Sequence, residues 1–153
     1  MGTNGRMIAG ELGELARPLV DCSLSLPRLG VYAEIIFLVD TGADATYLHP
    51  AAGSGIGVPS DLLQRRVTSR GIGGNATYFP EPGYPVVRRP RSTARLRYGY
   101  RIDINVARLG DVSDRIPSLL GYDVIRRWRM DHDPTNSRLA FTVRDADFTM
   151  AVA

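Results

Sequence analysis

From Pro18 to Leu26 the chain alternates, Leu-Val-Asp-Cys-Ser-Leu-Ser-Leu, with the period of a half-buried β-strand. Pro27 to Gly30 read as a turn, and Val31 to Val39 is an apolar, β-branched run that predicts a buried strand. Residues 50–60 are rich in Gly, Pro, Ala and Ser and read as loop, with a short helical turn from Ser60 to Gln64. Arg66 to Arg70 and Ala76 to Phe79 flank Gly71-Ile72-Gly73-Gly74, which predicts a hairpin with a glycine tip. Pro80, Pro82, Pro85 and Pro90 then predict a broken edge or connecting segment. Ala94 to Tyr98 and Tyr100 to Arg108 alternate on either side of Gly99, with Ile102, Ile104 and Val106 on one face. Gly110 to Arg115 is a polar loop, and Ile116 to Gly121 is a short buried strand with a glycine stop. Asp123 to Trp128 reads as a short helix. Trp128 to Asp131 and Arg138 to Val143 flank the turn residues Asp133-Pro134-Thr135-Asn136, which predicts a final hairpin. Many short strands, one helix and no repeat predict a mainly antiparallel β fold, closed or nearly so.

The chain has 153 residues, the length of one domain. Its expected organisation is a flexible N-terminal arm over residues 1–15, or a short edge strand there, a domain over 16–145, and a tail over 146–153. A composition of 44% hydrophobic and 23% charged residues excludes a disordered chain. The net charge is +3, and all 19 basic residues are Arg, which excludes lysine Schiff-base chemistry and a P-loop lysine. The arginines run from Arg6 to Arg144, richest at Arg88, Arg89, Arg91, Arg95, Arg97 and Arg101. In a strand 95, 97 and 101 share a face, so a solvated basic face is expected rather than nucleic-acid binding. Cys22 is the sole cysteine and sits in an alternating apolar run, which makes it a core residue with no internal disulfide. No apolar run reaches the roughly 18 residues of a membrane span. Met1 to Glu14 lacks the apolar core of a secretory signal, so the expectation is a cytoplasmic protein with no membrane partner.

The sharpest candidate for chemistry is Asp40, which ends the apolar run Phe37-Leu38-Val39. An unpaired ionised carboxylate inside such a strand is costly, so it must face something. Asp40-Thr41-Gly42 is by itself also good turn chemistry. Other patterns are weaker. Gly71-x-Gly73-x-x-Ala76 matches a dinucleotide fingerprint, but a strand-like segment follows where a helix is needed. Asp131-His132-Asp133 has metal-binding residue types, but in a strand the two carboxylates point away from the histidine, and His49 lies far off in sequence. A polar hairpin end is the expectation there, with no metal and no cofactor. No Gly-x-Ser-x-Gly elbow is present.

Asp40-Thr41-Gly42-Ala43-Asp44-Ala45-Thr46 after an apolar strand resembles the active-site loop of the retropepsins, the retroviral and retroviral-like aspartic proteases. Gly71-Ile72-Gly73-Gly74 resembles the tip of their flap. Leu119-Leu120-Gly121-Tyr122-Asp123-Val124 resembles the apolar-apolar-Gly segment before their single helix. The stretch from Arg126 through Asp131 to Leu139-Ala140-Phe141 resembles the ending of bacterial members. In order, these motifs cover about Leu19 to Val143. The resemblance implies a closed β-barrel, half of an acid protease, with one short C-terminal helix, active as a homodimer. Asp40, Thr41 and Gly42 would be catalytic. Ala43, Asp44, Gly71, Ile72, Gly73 and Gly74 would bind a peptide or protein substrate. Leu120, Gly121, Tyr122 and Asp123 would support the loop. Many members carry an Arg where this chain has Tyr122, and that Arg pairs with the Asp matching Asp44. Tyrosine can hydrogen-bond a carboxylate but forms no bidentate ion pair. The implied activity is an aspartic endopeptidase. The alternative is a dimeric peptide-binding scaffold without catalysis, motivated by Tyr122 and the proline-rich stretch.

Overall fold

A computed structural model describes residues 7–50, 57–71, 74–87, 96–113 and 115–151. Thirteen strands and one short helix make up the described regular structure, with four 3-10 turns. Strand β1 (Met7–Ala9) is followed by β2 (Glu11–Leu12), β3 (Pro18–Leu26), β4 (Val31–Val39) and β5 (Thr46–Leu48). The hairpin of β6 (Val67–Gly71) and β7 (Gly74–Val87) comes next, then β8 (Leu96–Gly99), β9 (Ile102–Val106) and β10 (Leu119–Leu120). Helix α1 (Tyr122–Ile125) leads into β11 (Trp128–Asp133), β12 (Arg138–Val143) and β13 (Phe148–Ala151).

Six strands close a barrel in the order β7-β9-β5-β10-β4-β3, because β3 pairs back onto β7 through Cys22↔Val87 to Ser25↔Tyr84. Closure removes edges that would otherwise expose unpaired backbone groups. A second sheet, β1-β12-β11, lies beside the barrel. One apolar cluster joins the two, running from Leu24, Phe37, Leu48 and Ile104 in the barrel to Ile8, Trp128 and Phe141. Strands are also present outside residues 16–145. Strand β1 edges the second sheet and buries Ile8, β2 pairs with β3, and β13 pairs with β8.

Two strands differ from their predicted form. Val31 to Val39 is buried only at alternate positions, and Tyr32 and Ile36 face out at 69% and 57% exposure. A barrel stave has one inner face, so a nearly continuous apolar run still alternates in burial. The stretch with Pro80, Pro82 and Pro85 is one continuous strand rather than a broken segment. Pro80 and Pro82 are two apart, so their missing N–H groups fall on one edge and the other edge keeps its donors for the ladder. The strand also changes partners along its length: β6 to Tyr78, β9 from Phe79 to Gly83, then β3 and β8. The helix ends at Ile125, short of the expected Trp128, because Trp128 opens β11. Cys22 is fully buried, and burial with nearby Asp21 and Glu34 pushes its thiol pKa upward.

Glu81, in the middle of β7, is 1% exposed. Its carboxylate accepts three hydrogen bonds from Arg28 in the 3-10 turn Pro27–Leu29, and Arg28 also donates to the carbonyl of Leu62. A buried carboxylate that loses a cation partner is worse placed than an apolar pair. Arg28→Leu is expected to lower the thermal midpoint, and adding Glu81→Leu to recover part of the loss, as read by scanning fluorimetry. A double variant less stable than the single one would contradict this account.

Candidate active site

The loop around Asp40 is built from its backbone outward. Strand β10 lies parallel to β4, with Leu119↔Leu38 and Leu120↔Val39 in register, and antiparallel to β5 at Tyr47. The Leu38 N–H donates to Ser118 O at 2.9 Å, and the Asp40 N–H donates to Leu120 O at 3.0 Å. Asp40 is therefore fixed at the point where the chain leaves β4. The turn after it is closed by Ala43 N–H to Asp40 O at 3.2 Å and by Gly42 N–H to Asp40 Oδ1 at 2.9 Å. A Cβ at residue 42 would lie 3.2 Å from that Oδ1, so glycine leaves the carboxylate room. Among the described residues the Gly42 N–H is the only donor to the Asp40 side chain.

The far side of the loop is locked by residues 121–123. A Cβ on Gly121 would come within 2.0 Å of Ala45 O and 2.3 Å of Ala45 C, so only glycine allows the two segments to meet. The Tyr122 N–H then donates to Ala43 O at 2.7 Å. Asp123 accepts from Thr46 N–H at 3.1 Å, from Thr46 Oγ1 at 2.8 Å and from Val124 N–H at 3.0 Å. Thr46 Oγ1 in turn accepts the Gly121 N–H at 3.1 Å, and Thr46 is fully buried. Burial pushes the Asp123 pKa up, while the hydrogen bonds from Thr46 and Val124 and the charge of Arg126 pull against that shift. The support expected of Tyr122 comes from its backbone. Its side chain is 51% exposed, and no hydrogen bond joins it to Asp44 among the described residues. Gly121→Ala forces the loop and the helix start apart and is expected to cost about 1–3 kcal/mol of stability in urea titration.

Asp40, Gly42, Ala43 and Asp44 line a cleft of about 260 Å³. Tyr47 and Leu119 line it from β5 and β10, and Ser69, Arg70 and Tyr78 from the β6–β7 hairpin. Thr41 is exposed and does not line it. Gly71 and Gly74 pair at the hairpin end, where Gly74 adopts φ +109°, a conformation that favours glycine. Ile72 and Gly73, the expected tip, lie outside the described residues. Sequence reasoning did not single out Tyr47, Ser69, Arg70 or Tyr78. The available signal was strand alternation: with Thr46 and Leu48 buried, Tyr47 must face the other way.

The aromatic wall of the cleft rests on a buried histidine. The Tyr47 and Tyr78 rings meet edge-on with centroids 4.7 Å apart, and Tyr47 stacks with His49 at 6.0 Å. His49 is 2% exposed, with Nδ1 2.6 Å from Pro117 O and Nε2 2.8 Å from the Tyr78 hydroxyl. A carbonyl can only accept, so Nδ1 carries the proton and Nε2 of the neutral ring accepts from Tyr78. Burial lowers the His49 pKa from its ordinary 6.5, against the bond to Pro117. Below about pH 6.5 the unfolded chain then binds a proton that the folded chain refuses, so stability falls with pH until the lower folded pKa is reached. Urea midpoints should therefore drop between about pH 7.5 and about pH 5.5. His49→Gln should show a smaller drop over the same interval, and an equal drop would remove His49 as its source.

A retropepsin-like aspartic protease from Rickettsia conorii superimposes with a TM-score of 0.53 at 19% identity, covering 96% of this chain and 91% of that one. The chain has a retropepsin-like fold. The EIAV protease complexed with the inhibitor HBY-793 is also similar, with a TM-score of 0.46 at 21% identity over 72% of this chain and 86% of that one. No protein-family model matches the chain, and no curated protein does. In the second sheet, Asp131 pairs with Arg138 at 2.7 Å, Asp133 accepts from Asn136, and His132 faces Ala16 O. Among the described residues no three His, Cys, Asp or Glu groups gather as metal ligands, and no helix is long and apolar enough to cross a membrane.

Proposed function

We propose that the protein is an aspartic endopeptidase whose site is completed by a second copy of the chain, with Asp40, Thr41 and Gly42 from each. The observation that carries this reading is Asp40 itself. Its backbone is pinned on β10, and its carboxylate opens into a cleft bordered by a glycine-ended hairpin. One chain supplies one such carboxylate, and peptide hydrolysis by this route needs two. Two Asp40 carboxylates brought into hydrogen-bond reach cannot both ionise, so the pair holds one proton and titrates as a unit. The ionised member takes a proton from a water that attacks the scissile carbonyl. The protonated member donates to the carbonyl oxygen, and the resulting tetrahedral intermediate collapses as the amine leaves with a proton. Ala43 and Asp44 would align substrate backbone, and the hairpin ending in Gly71 to Gly74 would close over it and exclude water. Leu120, Gly121 and Asp123 would act only by holding the loop. No cofactor enters this route.

A non-catalytic peptide-binding dimer is the second reading. It is favoured by the exposed Tyr122 side chain, which leaves Asp44 without the ion pair that many family members have. The two readings separate on cleavage of a random peptide library between about pH 4 and 7, read by mass spectrometry. Wild type should cleave, with specific activity rising with protein concentration as dimers form. Asp40→Asn should lose at least about 10³-fold in rate while keeping the same elution volume. Cleavage that survives Asp40→Asn would refute the mechanism, and binding without cleavage would establish the scaffold reading.

A further inference from the structure

Beside α1 the chain forms a groove of about 640 Å³ that the proposed reaction does not use. It is lined by four arginines, Arg101, Arg126, Arg127 and Arg144, and by Asp123, Asp145 and Asp147, with Ile102. The carboxylates are already committed. Asp145 and Asp147 both pair with Arg127, Asp147 also accepts the Arg101 N–H at 2.7 Å, and Asp123 is turned to Thr46 and Val124. Among the described residues Arg126 and Arg144 make no ion pair within 4 Å, although the Arg126 charge is felt at Asp123. The Arg101 guanidinium lies over the Phe148 ring at 5.3 Å, and among the described residues its one hydrogen bond is to the Asp147 carbonyl, at 3.5 Å, with its charge also felt at the Asp147 carboxylate. Three guanidinium groups therefore border the groove with most of their donors unused.

The frame that holds them is built rather than loose. Arg144 N–H donates to Arg127 O at 2.9 Å, and Asp147 N–H donates to Gly99 O at 3.0 Å. Beneath it, Trp128 Nε1–H donates to the Tyr100 hydroxyl at 2.6 Å, and that hydroxyl donates to Asp145 O at 3.0 Å. Arg127 itself lies over the Tyr100 ring at 4.8 Å. Guanidinium forks match the geometry of phosphate and carboxylate oxygens.

We propose that this groove binds a small multivalent oxyanion, a ligand carrying two or more phosphate or carboxylate groups, through Arg101, Arg126 and Arg144. The site is independent of the proposed protease reaction. The test is calorimetric titration with inorganic pyrophosphate and, separately, with citrate, at matched low ionic strength. Saturable binding of either probe is expected, and which one binds tells phosphate from carboxylate recognition. Arg126→Gln/Arg144→Gln should weaken that binding by roughly tenfold or more while leaving the circular dichroism spectrum unchanged. A control pair of arginines elsewhere, Arg65→Gln/Arg138→Gln, should leave it unchanged. Absence of saturable binding by both probes, or an equal loss in the control pair, would overturn the proposal.

Discussion

The architecture depends on a two-residue strand. Leu119 and Leu120 slot between β4 and β5, and without them the barrel would open where the Asp40 loop begins. The contact is short in sequence, so its strength must come from the residues just beyond it. Gly121 removes the one atom that would hold the segments apart, and Asp123 gathers donors from Thr46 and Val124 on one carboxylate. An ionised acceptor makes stronger hydrogen bonds than a neutral one, which offsets the cost of its burial. The loop carrying Asp40 is thus clamped from both ends by residues nearly eighty positions further along the chain.

The two aspartates at this junction occupy opposite environments. Asp123 is half-buried and accepts hydrogen bonds on both oxygens. Asp40 takes one hydrogen bond, from its own loop, and opens toward the cleft. The aromatic wall repeats the pattern, since Tyr78 has a ring against the cleft and a hydroxyl committed to buried His49.

Much of this was legible in the sequence, and the illegible part has a physical pattern. Alternation over Pro18–Leu26 and Ile102–Val106 marked strands because each has one buried face. The Asp40 loop and Leu120-Gly121 stood out through their resemblance to retropepsin motifs, since turn chemistry alone reads Asp40-Thr41-Gly42 only as a turn. Prolines misled in β7, because their effect depends on which edge of a strand is paired, and pairing is non-local. The partners of His49, Glu81 and Asp123 were not legible at all. His49 and Tyr78, Glu81 and Arg28, and Asp123 and Thr46 are each tens of residues apart and are brought close by the folding of the barrel.

Strand β7 is at once hairpin arm and barrel stave. Among the described residues it pairs with β6 up to Tyr78, and from Phe79 onward with β9 and then β3. Mechanically this is a cantilever. Its fulcrum falls at Tyr78, where His49 bolts the beam to the wall, and its root is anchored at Glu81 by Arg28. Any load on the free end is then delivered to the aromatic wall of the cleft before it reaches the core.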